Sequence, residues 1–301
     1  MSTDDLFSMR GRGFLLMANR NRYPTGVQPL LIEETARRRR IEARFVEVLE
    51  RAGFAEVVLP IIDYAEPYAL LQARDVSRQS YRFIDREGEL VAIRSDFTPM
   101  VARALAPSIA QANLPLRVFY RGDVIRCDDS RLGANREMFQ IGAEIIGDDS
   151  TAADIEILTL AADLVREFGM KPTVVYTDVA AALPALRPVL STKRMTAEVP
   201  SALRGVAEKF IAGTAALEDI APFAPEAASR LAAIAAAVPD FEMHLDDFDE
   251  SGGYYSGLRF RVYDGTSRSK LAQGGRYDHL YETFGTPAAA VGFTFTIDDL
   301  D

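Results

Sequence analysis

The chain has 301 residues, 48% hydrophobic and 26% charged, and its 34 Lys and Arg stand against 44 Asp and Glu for a formal net charge of −10. At roughly 150 residues per domain this bounds the chain to one large or two small globular units, and the acidic balance argues against a broad phosphate-binding face. One cysteine, Cys127, excludes a disulfide framework or cysteine zinc cluster, His244 and His279 lack metal-ligand spacing, and no apolar run approaches the ~20 residues of a membrane span or a signal-peptide core.

Taken together these features predict a reduced, cytoplasmic protein without a metal or cofactor. Residues 1–28 hold Arg, Gly and Pro without a period and read as an irregular arm, leaving 29–301 as one domain. Apolar residues at helical spacing (Ile41, Phe45, Val48, Leu49) predict a helix over 30–52, stopped by Gly53. Its basic run, 37–40, reads as a solvated face paired with Glu33, Glu34 and Glu42 rather than as a nucleic-acid patch. Residues 55–60 read as a strand ended by Pro60, and 81–85 with 90–94 as a hairpin about Gly88. A helix follows over 98–106, with Pro99 at an early position where proline is tolerated.

Two β-rich runs, 116–126 and 138–146, flank a polar loop, and a helix over 151–168 is stopped by Gly169 before a short strand at 174–177. From about 180 to 239 the chain turns Ala-rich with little β character, which predicts a small helical insertion. Strand character returns at 254–263, 270–272 and 291–297. A sheet that is left and re-entered implies one α+β domain with an inserted helical module.

Four segments concentrate polar side chains at the ends of apolar strands: Arg94-Ser95-Asp96-Phe97-Thr98, the run from 121 to 144, Gly253-Tyr254-Tyr255-Ser256-Gly257, and Gly274-Gly275-Arg276-Tyr277-Asp278. Gln140 and Glu144 lie four apart in a strand, so both point to one sheet face. Glu144 stands among Ile141, Ala143, Ile145 and Ile146, and a buried carboxylate there needs a partner. That partner is either an arginine such as Arg136 or Arg126, or a ligand cation or N–H donor. Arg121, Arg131 and Arg136 read as paired with acidic neighbours.

In this order the segments resemble the catalytic core of histidyl-tRNA synthetase, a class II aminoacyl-tRNA synthetase. The helix and strand up to Pro60 look like motif 1, the dimer-forming element. Phe119-Tyr120-Arg121 to Arg126 with 135–144 look like motif 2, and Val291-Gly292-Phe293 like the start of motif 3. The implied fold is a mixed, mainly antiparallel sheet flanked by helices. The implied pocket takes histidine: Asp96, Thr98 and Gln140 match positions that hold the α-amino group. Arg126 matches the arginine facing the carboxylate. Glu144 and Tyr255 match the residues at the two ring nitrogens, with Tyr254 and Tyr277 lining the wall.

The adenylation machinery departs from the family pattern. Asp299 stands where motif 3 carries an arginine, residues 248–253 offer no arginine before the paired tyrosines, and Asp128 replaces the glutamate that reads adenine. Little sequence follows motif 3 to supply an anticodon-binding domain. This combination resembles the regulatory-subunit family of short-form ATP phosphoribosyltransferase, a non-catalytic paralogue of the synthetases. That resemblance implies no catalytic residues and a homodimer within a hetero-octamer with the short catalytic subunit. It also implies activation of that subunit, histidine as allosteric ligand and feedback inhibitor of histidine biosynthesis, and no tRNA or membrane partner. The rivals are a truncated synthetase-like enzyme, which predicts ATP–pyrophosphate exchange, and a stand-alone histidine sensor.

Overall fold

Helix α1, Ile32–Arg51, buries Ile41, Phe45, Val48 and Leu49, one stripe of its surface, against the large sheet. The Phe45 ring lies edge-on to Phe295 at 5.0 Å between centroids and stacked on Phe168 at 5.5 Å. The computed structural model describes residues 23–69, 71, 79–127, 135–247 and 255–300. The expected arm at 1–28 therefore falls mostly outside the described residues, as do Tyr254, Asp128, Arg131 and residues 248–253.

The 55–60 strand shortens to β1, Ala55–Glu56, paired in parallel with β5, Leu116–Ile125. Beyond it lies β2, Ile62–Tyr64, which the sequence reading did not identify. It joins the expected hairpin, β3 (Arg82–Ile84) and β4 (Leu90–Ile93), in a three-stranded sheet of order β2-β4-β3. Helix α2, Glu66–Ala69, is a single turn, and α3 runs Thr98–Ile109, past Pro107, whose missing donor falls in the last turn. Strand β5 and β6, Glu137–Ile146, pair over their full ten residues.

Ser150 caps α4, Thr151–Arg166, by accepting from the Ala153 amide at 3.3 Å, and β7, Pro172–Asp178, follows. The Ala-rich stretch folds as α5 (Arg187–Thr192), α6 (Arg204–Ala212), α7 (Leu217–Ile220) and α8 (Pro225–Ala237). Its buried alanines, Ala207, Ala227 and Ala228, are packing surface. Then come β8 (Glu242–Met243), β9 (Leu258–Asp264), β10 (Lys270–Arg276), the short helix α9 (His279–Thr283) and β11 (Ala290–Thr296).

The eight-stranded sheet runs β1-β5-β6-β11-β10-β9-β7-β8. Only its outer pairs, β1/β5 and β7/β8, are parallel. It is a mixed, mainly antiparallel sheet with helices on it, the expected α+β fold. Alternation along the strands divides two cores: Ile141, Ala143 and Ile145 pack with α1, α4 and the small helices, while Val118, Tyr120, Val124 and Ile146 pack with α3 and α9. The second face, on the α3 side, carries Gln140 and Glu144. Among the described residues no helix is long and apolar enough to cross a membrane, and no group of three His, Cys, Asp or Glu could hold a metal.

Candidate functional site

Glu144 sits near the middle of the large sheet with 1% of its surface exposed. Its register neighbours are Val118 on β5 and Gly292 on β11. A Cβ on Gly292 would collide with Glu144 Oε2, so the absent side chain is the space in which the carboxylate lies. Neither Arg126 nor Arg136 pairs with it, which corrects the arginine alternative. Three hydroxyls do: Thr98 Oγ1 donates to Oε1 at 3.0 Å, Tyr120 OH to Oε1 at 3.3 Å, and Tyr277 OH to Oε2. Tyr120 OH also lies 2.6 Å from Thr294 Oγ1. Burial nevertheless dominates and pushes the Glu144 carboxyl up to about 8, with Asp96 adding to the rise and the three hydroxyls opposing it.

Two of the Glu144 partners, Thr98 and Tyr277, also line a narrow cleft of about 20 Å³, in front of Glu144, whose lining further contains Asp96, Arg126, Gln140 and Tyr255. Gln273 and Thr294 also line it. Burial raises the Asp96 carboxyl, against the pull of the Arg126 guanidinium and the amides of Thr98 and Phe97. The Thr98 amide donates to Asp96 at 3.1 Å and Arg126 Nε to the Ser95 carbonyl at 2.9 Å, so acid and guanidinium stand on one small frame. Arg94 fixes that frame from behind by donating to the carbonyls of Asp123 and Leu59 while lying 4.0 Å over the Phe97 ring. Phe97 in turn stacks on Tyr120 at 4.5 Å.

Gln140 is 4% exposed, and its Oε1 has no hydrogen-bond partner. An unpaired buried carbonyl costs about 1–3 kcal/mol, and a ligand N–H would relieve it. The Tyr255 ring lies on Gly275, where an added Cβ would come within 2.8 Å of it. The strand pair β10/β11 thus carries two facing glycines, Gly275 and Gly292, whose missing side chains leave room for the Tyr255 ring and the Glu144 carboxylate. Burial raises the hydroxyl pKa of Tyr255 and Tyr277 far above the usual range, so both remain neutral donors. Acceptors for an ammonium (Asp96, Gln140), a guanidinium for a carboxylate (Arg126) and a donor–acceptor pair deeper in (Tyr255, Glu144) suit a small amino acid with a polar ring.

The sequence reading assigned no role to Tyr120, Thr294 or Gln273. A tyrosine facing a glycine across the strand pair (Tyr120 to Gly142) is the signal that was available. Arg276, in the same segment as Tyr277, faces away from the cleft. The basic run on α1 is also not a plain solvated face. Arg39 does pair with Glu42, but Arg38 reaches Asp298 and Asp123, and Arg37 donates to the Leu300 carbonyl. Arg121 meets Glu56 at 2.8 Å and Glu42 at 3.6 Å, the acidic neighbours expected of it.

The histidyl-tRNA synthetase family matches residues 26–204 and 180–300, nearly the whole described chain. A relative named ATP phosphoribosyltransferase regulatory subunit, from Symbiobacterium thermophilum, is 32% identical over 93% of this chain and 79% of its own. The chain belongs to the histidyl-tRNA synthetase family, among the ATP phosphoribosyltransferase regulatory subunits. A member named histidine–tRNA ligase, from Methanocaldococcus jannaschii, is 28% identical over 92% of this chain and 76% of its own. The fold is shared with a structure described as an ATP phosphoribosyltransferase regulatory subunit/histidyl-tRNA synthetase from Bacillus halodurans, at TM-score 0.80 and 22% identity, covering 92% of this chain and 81% of that one. The cleft lies on the face that β5 and β6 share with β10 and β11.

Proposed function

We propose that this chain is a non-catalytic subunit that binds histidine, activates the short catalytic subunit of ATP phosphoribosyltransferase and relays feedback inhibition by histidine. The observation that carries the reading is Glu144, a buried carboxylate bonded to Thr98 and Tyr277, which line a cleft together with Asp96, Arg126 and the unpaired Gln140 carbonyl. The names of its relatives support the partner. In the proposed complex the ammonium lies against Asp96, Thr98 and Gln140, the carboxylate against Arg126, and the ring between Glu144 and Tyr255. Tyr277 lines the wall; Tyr254, also expected there, lies outside the described residues.

The loss of adenylation is argued from charge. Charge builds on the α-phosphate in adenylate formation and needs cations. Here Asp299 stands where the resemblance places the motif 3 arginine, and residues 248–253 offer no arginine before the paired tyrosines. For assembly, Val58, Ile61, Ile62, Tyr64, Ile84 and Leu90 expose apolar surface along the three-stranded sheet and its approach. Ile62 and Tyr64 share one face of that sheet and Ile84 and Leu90 the other, and exposed apolar side chains in this number support a homodimer as the core of a hetero-octamer. Regulation then requires histidine to bind the inhibited assembly more tightly than the active one, typically by ~1–3 kcal/mol.

The test is the rate of phosphoribosyl-ATP formation by a purified short catalytic subunit, titrated with this chain with and without histidine. Activation that histidine reverses is expected. No effect on the rate, together with histidine-dependent ATP–pyrophosphate exchange by the chain alone, would replace this reading with a synthetase-like enzyme.

A further inference from the structure

Helix α8 of the helical module sends Arg230 into the body of the protein. Arg230 Nη1 lies 3.6 Å from Asp154 Oδ2, on α4, and its Nε lies 3.4 Å from Asp178 Oδ2, at the end of β7. Both carboxylate side chains are essentially sealed, at 0% and 2% exposure. Arg276 holds the other oxygen of Asp154: its Nε donates to Asp154 Oδ1 at 2.8 Å, and its remaining nitrogens reach the carbonyls of Asp148 and Ser150 and the Asp278 carboxylate. Asp154 Oδ2 has no hydrogen-bond partner, so Arg230 supplies the cation facing that oxygen. Buried carboxylates in this number need their cations, and losing one leaves a charge without compensation.

This cluster lies directly behind two of the cleft's walls. Gly257, two residues after Tyr255, passes so close that an added Cβ would fall 2.9 Å from Arg230 Nη1 and 3.3 Å from Arg276 Cδ. The Ser256 amide donates to the Arg276 carbonyl at 2.7 Å, and the Asp278 amide donates to Ser256 Oγ at 2.9 Å. The Val179 amide, next to Asp178, donates to the Gly257 carbonyl at 2.9 Å. The backbone on the C-terminal side of Tyr255 and on both sides of Tyr277 is therefore tied to the segments that carry Asp178, which Arg230 faces, and Arg276, which shares Asp154 with it.

We propose that Arg230 is a positioning residue for the amino-acid pocket, through which the helical module sets the geometry of Tyr255 and Tyr277. The proposal rests on the reading of the cleft as a histidine pocket. It gives the module a role beyond packing: whatever moves α8 against the sheet changes ligand affinity, and by linkage the ligand changes how firmly α8 is held.

The test uses the full chain. Histidine affinity is measured by calorimetry and stability by thermal unfolding, for wild type, Arg230→Met, Arg230→Lys and Lys209→Met, the last breaking an exposed ion pair on the module. Arg230→Met should raise the Kd for histidine at least tenfold, Arg230→Lys should recover part of that loss, and Lys209→Met should leave affinity unchanged. If Arg230→Met does not fold, hydrogen exchange of wild type decides: saturating histidine should slow exchange of the α8 amides. A Kd within twofold of wild type in both Arg230 variants, or α8 exchange indifferent to histidine, would make the cluster a staple and overturn the proposal alone. Failure of wild type to bind histidine would overturn the pocket reading and this inference together.

Discussion

Replacing Glu144 by Gln removes a titratable carboxyl and almost no volume from behind the lining of the cleft. In the empty site this carboxyl titrates near 8, and a free imidazole near 6.5. Between these values the empty protein holds one proton on Glu144, the ligand's ring holds none, and the complex holds one shared between them. Histidine affinity should therefore be level from pH ~6.5 to ~8 and weaken on either side, tenfold per unit at the limit. Below the window binding expels a proton, and above it binding takes one up. In Glu144→Gln the charge-assisted bond is lost, worth roughly 1.5–3 kcal/mol, or about 10- to 150-fold in Kd. Calorimetry in two buffers of different ionisation heat counts the protons directly. The ratio of wild-type to variant Kd cancels the ligand's own amino titration. If the alkaline limb near pH 8 persists in the variant, or the variant loses less than about threefold in affinity at pH 7, the ring does not meet Glu144 and the assignment fails.

The same substitution should change stability with pH. The folded value near 8 lies above the ordinary 4.5, so this group's contribution is fully present below 4.5 and lost as pH rises through 8. Thermal unfolding at pH 9 should find Glu144→Gln several degrees above wild type, with the gap closing towards pH 5. Gly292→Ala places a methyl in the space of the Glu144 carboxylate. It should abolish histidine binding in a calorimetric titration while costing about 1–3 kcal/mol of stability in urea, the usual toll of overpacking. Gln140→Met removes a buried carbonyl without a partner. The unliganded variant should unfold at equal or higher temperature than wild type yet bind histidine about tenfold more weakly, whereas a loss of stability would show that the amide is satisfied in the empty state. Ile62→Glu on the exposed small sheet should yield monomers by sedimentation at concentrations where wild type is dimeric.

Much of the architecture is legible because alternation is strong where the sheet is half-buried. The β5 and β6 runs, the α1 stripe and the Gly169 stop follow from spacing alone. Strand β2 escaped because three residues carry no measurable period, and its strand character comes from pairing with β4. The cleft residues were legible as a set through the order of four polar segments, since acids and tyrosines at strand ends are conspicuous. Their partners were not. For Glu144 an arginine and a ligand group stand equally open in the sequence, yet hydroxyls from α3, β5 and the turn after β10 meet it, and no rule of sequence separation joins Thr98, Tyr120 and Tyr277. Arg38 looked like one of four solvated cations because helical spacing shows only neighbours on the same helix, not Asp298 some 260 positions away.

The facing glycines Gly275 and Gly292 have a consequence for how the protein can be dissected. Because neither glycine has a side chain of its own, the Tyr255 ring and the Glu144 carboxylate take those places, and the recognising groups belong to segments scattered between residues 96 and 294. No fragment can hold them in register, so ligand capacity should vanish abruptly under truncation rather than in proportion to the length removed. Histidine then serves as a gauge of native content: at a hundred times its Kd it would hold the folded state by about 2.7 kcal/mol. The fraction of a preparation that binds it counts the molecules whose whole sheet is assembled.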